Sequence, residues 1–251
     1  MITKKPEIIR KNNIINEAVL NVSSDPYKVY LLTLKKIGYE HKDPIIQIDK
    51  LNQEHTISVA EYASLFDSDM GFDNCYRNLK QACQKLIRTP LVLPKLDSKQ
   101  VWEIPVYSII KYCENQGRIK FKFSQEIIPY LSQVDAQYTK YDLRIAYGMY
   151  SVYAIKLYER IMQFKNTGWV YMTLEELRHL LVLSKKLELY GDLKRRVIDV
   201  TIQSINAHHS DIELSFEEIK ESHSVVAIKF NFNKKVKMPY IDEIITIEDG
   251  K

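Results

Sequence analysis

Apolar residues along the chain recur mainly three and four positions apart, which is typical of helices that bury one face. A Ser-Asp-Pro start signal lies at residues 24–26, and Ser58 and Thr173 are each followed three residues later by a glutamate, as in a capping box. The pattern therefore predicts helices that begin at Asn12, Ser24 and Ser58, and further helices over residues 72–88, 147–164, 174–183 and 190–206.

Alternating apolar and polar residues between these helices predict strands. Residues 45–48 are a short candidate strand, and residues 118–123 alternate strictly with a basic, exposed side. We expect two hairpins, one from residues 91–95 and 101–110 about a polar turn at 97–99, the other from residues 212–216 and 225–232 about a charged tip at 217–224.

Each half of the chain thus has helix, helix, amphipathic helix and β-hairpin in the same order, which is the order of a winged-helix domain. We predict an α+β protein with two tandem winged-helix domains. The first, at residues 12–135, follows a mobile basic arm at 1–11. The second, at residues 136–233, precedes a flexible tail at 234–251.

Residues 190–206 have two chemically different faces when they are placed on a helix. One face is apolar or small, with Leu193, Val197, Val200, Thr201 and Ser204. The other carries planar hydrogen-bonding groups, namely Arg195, Arg196, Asp199, Gln203 and Asn206. Arginine can read guanine, and asparagine or glutamine can read adenine, in the major groove. The pattern predicts a DNA-reading helix, with an ordinary solvated face as the alternative.

Residues 72–88 repeat this division between two faces. The apolar face consists of Cys75, Leu79, Ala82 and Leu86. The polar face consists of Asn74, Arg77, Gln81, Gln84, Lys85 and Arg88. Two such helices at equivalent places before hairpins are a stronger indication of DNA binding than one.

The composition excludes several other classes of protein. Of the 251 residues, 45% are apolar and 27% are charged, and the net charge is +4, so the chain is globular and only mildly basic. No apolar run approaches the roughly 18 residues that span a bilayer, and the N-terminus lacks the apolar segment of a secretory signal. Three cysteines without Cys-X-X-Cys spacing predict reduced thiols and therefore a cytoplasmic protein. Nucleotide-binding glycine loops are absent, and we expect no cofactor, metal or membrane partner.

Three segments carry a resemblance to a known family. They are the basic, asparagine-rich helix at residues 10–18, the aromatic segments QYTKY and YAIKLYER at residues 137–141 and 153–160, and the DLKRRV…IN pattern at residues 192–206. These segments resemble the opening helix, the central aromatic segments and the recognition helix of winged-helix Rep initiators of iteron-containing, theta-replicating plasmids (the RepE and RepA type). The resemblance covers nearly the whole chain and is strongest over residues 137–232.

The resemblance implies a plasmid replication initiator whose two domains dock on successive turns of directly repeated origin DNA, the iterons. It implies that monomers bind iterons, help to open the duplex and recruit the host helicase and host initiator proteins. It also implies dimers, joined through the first domain, that bind an inverted-repeat operator and repress the protein's own gene.

The resemblance places the base readers of the second domain at Asp192, Arg195 and Arg196, with Lys194 as a phosphate contact. In the first domain, helical position directs toward DNA the side chains of Asp73, Asn74, Arg77, Lys80 and Gln81. Phosphate contacts are also expected from Lys4, Lys5, Lys11, Lys120 and Lys122.

Two other functions fit parts of the sequence. Tyr153 and Lys156 fit the Tyr-X-X-Lys motif of rolling-circle nickases, but the six histidines form no His–apolar–His metal pair and Tyr153 lies in an apolar helical stripe. We therefore predict that the protein is not an enzyme. A tandem winged-helix transcriptional regulator with no replication role stays open, because it needs the same DNA-reading surface. The role of Glu217 and Glu218 in the second hairpin also stays open.

Overall fold

The computed structural model describes residues 8–37, 44–66, 71–94, 101–132, 138–183, 187–208 and 212–234. Its helices are α1 (Asn13–Glu17), α2 (Ser24–Ile37), α3 (Pro44–Leu51), α4 (Val59–Phe66), α5 (Phe72–Leu86), α6 (Ile128–Ser132), α7 (Leu143–Gly148), α8 (Val152–Gln163), α9 (Leu174–Leu181), α10 (Tyr190–Leu193) and α11 (Asp199–Ala207). Its strands are β1 (Ile8–Asn12), β2 (Val19–Leu20), β3 (His55–Ser58), β4 (Leu91–Val92), β5 (Glu103–Ile104), β6 (Tyr107–Cys113), β7 (Arg118–Phe123), β8 (Tyr138–Asp142), β9 (Trp169–Thr173), β10 (Ile212–Glu221) and β11 (Ser224–Lys234).

The first winged-helix domain packs α2, α4 and α5 together with a three-stranded sheet of order β3-β7-β6. Along β7, Ile119, Phe121 and Phe123 are buried, while the residues between them face outward. Each such burial contributes about 1.5–3 kcal/mol. The antiparallel pair of β6 and β7 is the wing of this domain, called here the first wing.

The second winged-helix domain packs α8, α9 and residues 190–207 against a three-stranded sheet of order β10-β11-β9. The inner face of this sheet buries alternate residues, among them Val170, Met172, Ile228 and Phe230. Strands β10 and β11 pair antiparallel and form the second wing.

Both predicted capping boxes are confirmed. The Glu61 amide donates to Ser58 Oγ at 3.2 Å, and the Ser58 amide donates to Glu61 Oε2 at 2.9 Å. Thr173 and Glu176 make the same reciprocal pair at the start of α9. Because a capping box satisfies backbone donors at the helix start, it fixes where α4 begins in the first domain and where α9 begins in the second.

A buried polar cluster joins the two domains, and we call it the junction cluster. Glu159 of α8 accepts hydrogen bonds from Lys11 Nζ at 2.8 Å, from Tyr27 Oη at 2.5 Å and from the Tyr141 hydroxyl. Lys11 lies on β1, which pairs antiparallel with β8, and Tyr27 lies on α2. The first helix of the second domain is thereby tied to elements from the N-terminal part of the chain.

The expectation of a mobile basic arm at residues 1–11 is wrong for residues 8–11, because these residues form β1. Residues 1–7, including Lys4 and Lys5, lie outside the described residues. Lys11 is only 1% exposed and is bound to Glu159, so its assignment as a phosphate contact is also wrong. The predicted division between residues 135 and 136 lies outside the described residues, as does nearly all of the predicted tail.

The first hairpin was predicted at the wrong place. Among the described residues of this segment, Leu91–Val92 and Glu103–Ile104 pair in a small sheet with β2, and the turn at 97–99 lies outside the described residues. The first wing is instead built from β6 and β7. Residues 45–48 also differ from the prediction, because they belong to helix α3 rather than to a strand.

Two further elements differ in their bounds. The predicted helix over 147–164 is interrupted at residues 149–151, where Ser151 caps α8 and Tyr150 is 86% exposed. The predicted charged tip at 217–224 is mostly strand, because β10 continues to Glu221 and β11 begins at Ser224. Glu217 and Glu218 therefore lie along the wing rather than at its tip.

Candidate DNA interface

Residues 190–207 form one continuous helix with a π-turn at Lys194–Ile198 between α10 and α11; this is called here the second reading helix. Its buried residues are Leu193, Val197, Ile198, Thr201 and Ile205. Hydrogen bonds in a π-turn span five residues instead of the four of an α-helix, so the residues that follow it are rotated about the axis. Val200 is consequently 50% exposed, and the prediction that it belongs to the buried face is wrong.

Asn206 was placed on the polar, solvent-facing side of this helix, and the structure contradicts that placement. Its side-chain amide donates to the Leu214 carbonyl and accepts from the Leu214 amide, both at 2.8 Å. Asn206 therefore joins the end of the reading helix to the start of the second wing.

Arg195 and Arg196 project from the π-turn with side chains that are 72% and 62% exposed. Both guanidinium groups lie close to Asp192, one turn earlier, with nitrogen–oxygen distances of 2.9 Å for Arg195 and 3.5 Å for Arg196. The carboxylate orients the two arginines, and their remaining donors stay available for the edge of a base. The structure thus brings together the three residues predicted as base readers.

Lys194 points toward the second wing. Its ammonium group donates to Glu218 Oε1 at 2.8 Å, and the Tyr190 hydroxyl donates to the same oxygen at 2.8 Å. The Lys194 ammonium group also lies 5.5 Å from the centre of the Phe216 ring. Hydrogen bonds from Lys194 and then Tyr190 lower the pKa of Glu218, and the hydrogen bond to Glu218 raises the pKa of Lys194. These contacts tie the start of the reading helix to β10.

The first reading helix is α5, and its predicted DNA-facing residues share one side of it. Asp73, Asn74, Arg77 and Gln81 are exposed, and the opposite side buries Cys75, Leu79, Ala82, Cys83 and Leu86. Arg77 donates to the Asn74 side chain at 2.8 Å. Their contact with DNA stays a prediction, but their placement on a common exposed face agrees with it.

Lys80 ties α5 to the first wing. Its ammonium group lies 2.5 Å from Glu114 Oε1, and this contact raises the pKa of Lys80 and lowers that of Glu114. The turn of this wing also contacts the helix directly. Gly117 has a φ of +54°, and the Phe72 ring occupies the space that a Cβ atom at Gly117 would need. The left-handed backbone favours glycine at this turn, and a Cβ atom there would require the exposed Phe72 ring to move.

Lys120 and Lys122 lie on the outer face of β7, as the alternation predicted. Lys120 is 3.2 Å from Glu54, and Lys111 of β6 is 2.5 Å from the same carboxylate. Hydrogen bonds from Lys111 and Lys120 lower the pKa of Glu54. Within the part of the chain that the structure describes, there is no group of three His, Cys, Asp or Glu residues arranged to hold a metal ion. None of the described helices combines the length and apolar character that crossing a membrane requires.

Sequence reasoning missed two participants in this interface, Glu218 and Tyr190. Glu218 was placed in a turn, so its position on the inner side of β10 was missed. The alternation of Ile212, Leu214 and Phe216 was the available signal, since extending it by one step brings Glu218 to the same face.

Comparisons with known proteins agree with this arrangement. A family model described as "Initiator Replication protein, WH1" matches residues 8–162, and one described as "Initiator Rep protein, WH2" matches residues 173–232. An uncharacterized 27.6 kDa protein of Escherichia coli is 24% identical over 207 residues, which are 79% of this chain and 84% of that protein. The crystal structure of the Pi initiator protein in complex with iteron DNA has a similar fold, with a TM-score of 0.73 and 20% identity, covering 92% of this chain and 98% of that one. The first family match alone spans more than half of the chain, and the protein therefore belongs to the initiator replication protein family, with both of its winged-helix domains.

Proposed function

We propose that this protein initiates plasmid replication by binding directly repeated origin DNA as a monomer and helping to open the duplex. The strongest support for this proposal is the arrangement of the two reading helices. Two reading helices, each with exposed arginine and each tied to its wing by a lysine–glutamate pair, are joined through the buried junction cluster. When the reading helix and wing of one domain (called here a head) are bound to DNA, docking of the second head becomes effectively intramolecular, so two modest affinities reinforce each other.

Family membership supports this proposal. In addition, the Pi initiator, which has a similar fold, was crystallised with iteron DNA. For this chain we propose that Arg195 and Arg196 contact guanine, and that exposed Val200 lies against a thymine methyl group. The exposed face of α5, with Arg77, Asn74 and Gln81, would then dock on the neighbouring helical turn.

We also propose that the protein acts without catalysing a covalent step. Lys156, the lysine of the Tyr-X-X-Lys motif, is 4% exposed, and its ammonium group donates to the Leu20 carbonyl at 3.1 Å. A lysine in this position supports the junction between the domains and does not face a DNA phosphodiester.

The proposal has two further parts. We propose that the protein self-associates through its first domain and, as a dimer, binds an operator inverted repeat and represses its own gene. We also propose that in the bacterial cytoplasm it recruits the host helicase and host initiator proteins. Exposed Val101 and Ile109 of the first domain support a protein contact there. Sedimentation of the wild type and of Ile109→Glu tests this part, since loss of a dimer in the variant alone is the expected result.

The principal test is selection of binding sites from random duplex DNA by the purified full chain, read at two salt concentrations. We expect a motif of two blocks about one helical turn, or 10–10.5 base pairs, apart. Occurrence of the motif as direct repeats at a plasmid origin supports the initiator, whereas occurrence only as an inverted repeat at a promoter supports a transcriptional regulator. Absence of any motif contradicts sequence-specific binding altogether.

A further inference from the structure

Glu218 lies on the side of the second wing that faces the reading helix. It follows Ile212, Leu214 and Phe216 on the inner face of β10, whereas Glu213 and Glu217 lie on the outer face. The Glu218 side chain is 21% exposed, and that of its partner Lys194 is 41% exposed. A carboxylate in this place lies beside the cations that would approach the DNA backbone.

Lys194 is held on several sides. Glu218 accepts its hydrogen bond, the Phe216 ring lies 5.5 Å away, and Tyr190 fixes the accepting oxygen by donating to it as well. Lys220 approaches the other oxygen of Glu218 at 3.6 Å. Because Glu218 lies beside this ammonium group, a phosphate that contacts Lys194 also approaches a carboxylate, and the pair offers the DNA less net positive charge than Lys194 alone would.

On a sequence that offers no base contacts, binding depends almost entirely on the number of phosphates that cations neutralise. On a sequence that the arginines recognise, the base contacts fix the orientation of the reading helix, and the Lys194–Glu218 link keeps the wing aligned with it. Withholding one cation from phosphate therefore weakens random binding more than it weakens recognition.

We propose that Glu218 is a specificity-determining residue, which suppresses binding to random DNA by holding Lys194 as the link between reading helix and wing. This inference rests on the proposed function, since it requires a preferred duplex. It gives Lys194 a role different from the phosphate contact that the family resemblance implies, and it accounts for an acidic residue inside a DNA-binding wing.

The test compares Glu218→Gln with wild type on the duplex that wild type selects and on a random duplex of equal length, over a series of salt concentrations. Glutamine keeps the size of the side chain and can still accept a hydrogen bond. We expect affinity for random DNA at low salt to rise about three- to tenfold, with a salt slope steeper by about 0.9 because one more phosphate is neutralised. Affinity for the selected duplex should rise less or fall, so the ratio of the two affinities decreases.

Glu213→Gln is the matched control, since it removes the same charge from the outer face of the same strand. A second comparison uses Lys194→Ala alone and combined with Glu218→Gln. In the wild-type background, loss of Lys194 should leave the salt slope on random DNA almost unchanged. In the Glu218→Gln background, loss of Lys194 should remove the whole increase in affinity for random DNA, so the two substitutions are strongly non-additive.

Several outcomes would overturn the inference. Equal gains for Glu218→Gln and Glu213→Gln would mean a general charge effect, and equal gains on selected and random DNA would mean repulsion without specificity. A salt slope flattened by about one for Lys194→Ala in the wild-type background would mean that Lys194 contacts a phosphate after all. This result does not depend on folding of the Glu218 variant. A wild type that binds both duplexes alike contradicts the proposed function itself and this inference with it.

Discussion

The two reading helices of this protein differ where they meet their wings. The first, α5, is a regular α-helix tied to its wing by Lys80 and Glu114, with its arginine one turn from the helix start. The second contains a π-turn that holds three consecutive basic residues, Lys194 to Arg196. Of these, Lys194 points to the wing and the two arginines point outward.

This difference indicates a division of labour between the domains. The π-turn lets Leu193, Val197 and Ile198 all pack into the core while two adjacent arginines and Val200 stay exposed. A regular helix would bring Val200 to the buried side, as the sequence pattern predicted. We infer that the second domain supplies most of the base discrimination, and that the first sets register and adds affinity on the neighbouring turn.

The largest expected effect comes from breaking the connection between the domains. Glu159→Gln removes the carboxylate of the junction cluster and leaves the Lys11 ammonium group buried without a countercharge. We expect the free energy of unfolding to fall by about 3–5 kcal/mol, measured by urea denaturation.

The control for this change is Glu17→Gln, which removes the partner of Arg160 at the partly exposed rim of the same junction. That substitution should cost about 0–1 kcal/mol. Equal losses for the two variants would show that the buried cluster has no special role in joining the domains.

The pH dependence of stability probes the same junction. Burial lowers the pKa of Lys156 from 10.5 to about 8. The unfolded chain therefore keeps this proton at pH values where the folded chain has lost it. The contribution of Lys156 to the free energy of unfolding consequently falls as the pH is lowered from about 10 to about 8.

The measurement is the difference in unfolding free energy between wild type and Lys156→Met, because all other titratable groups are common to both. Between pH 8 and pH 10 this difference should change in favour of the wild type by about 1–3 kcal/mol. A flat difference across this range contradicts the lowered pKa.

Base discrimination by the second domain is tested with Arg196→Ala. On the selected duplex we expect a loss of about 1–3 kcal/mol in binding free energy, with relaxed preference at one base pair. Binding to every single-base variant of the duplex gives the measurement. An equal loss on selected and random DNA would mean that Arg196 contacts only the backbone.

The first domain is tested at its wing turn with Gly117→Ala. The positive φ and the contact with Phe72 should together destabilise the fold by about 1–3 kcal/mol and weaken binding by the first head. Gly191→Ala is the matched control, since no atom beyond the neighbouring residues and the backbone of its own helix lies within 4 Å of the added methyl group, and alanine favours the helix. Thermal unfolding of both variants decides the point, and an unchanged midpoint for Gly117→Ala counts against the contact.

The parts of the fold that could be predicted from sequence are those set by neighbouring residues. The capping boxes at Ser58 and Thr173, the apolar face of α5 and the alternation of β7 depend on residues a few positions apart. The partners of β7 could not be predicted, because strand pairing joins segments distant in the chain. For this reason the first wing was assigned to residues 91–110 instead of to β6 and β7.

The candidate site divides in the same way. The exposure of Arg195, Arg196 and Arg77 follows from helical spacing, and it was predicted. Lys11 resembled a lysine of a basic arm because its partner, Glu159, lies 148 residues away. A helical pattern that assumes a constant rotation per residue also cannot predict a π-turn. The exposure of Val200 and the inward position of Asn206 were therefore missed.

The central claim is that two heads read two adjacent blocks of one duplex, and hydroxyl-radical footprinting of the selected duplex tests it most directly. For wild type we predict two protected blocks about 10–10.5 base pairs apart on one face of the DNA. Arg77→Ala should weaken protection of one block and Arg196→Ala that of the other. A single protected block, or the same block affected by both variants, would contradict the account.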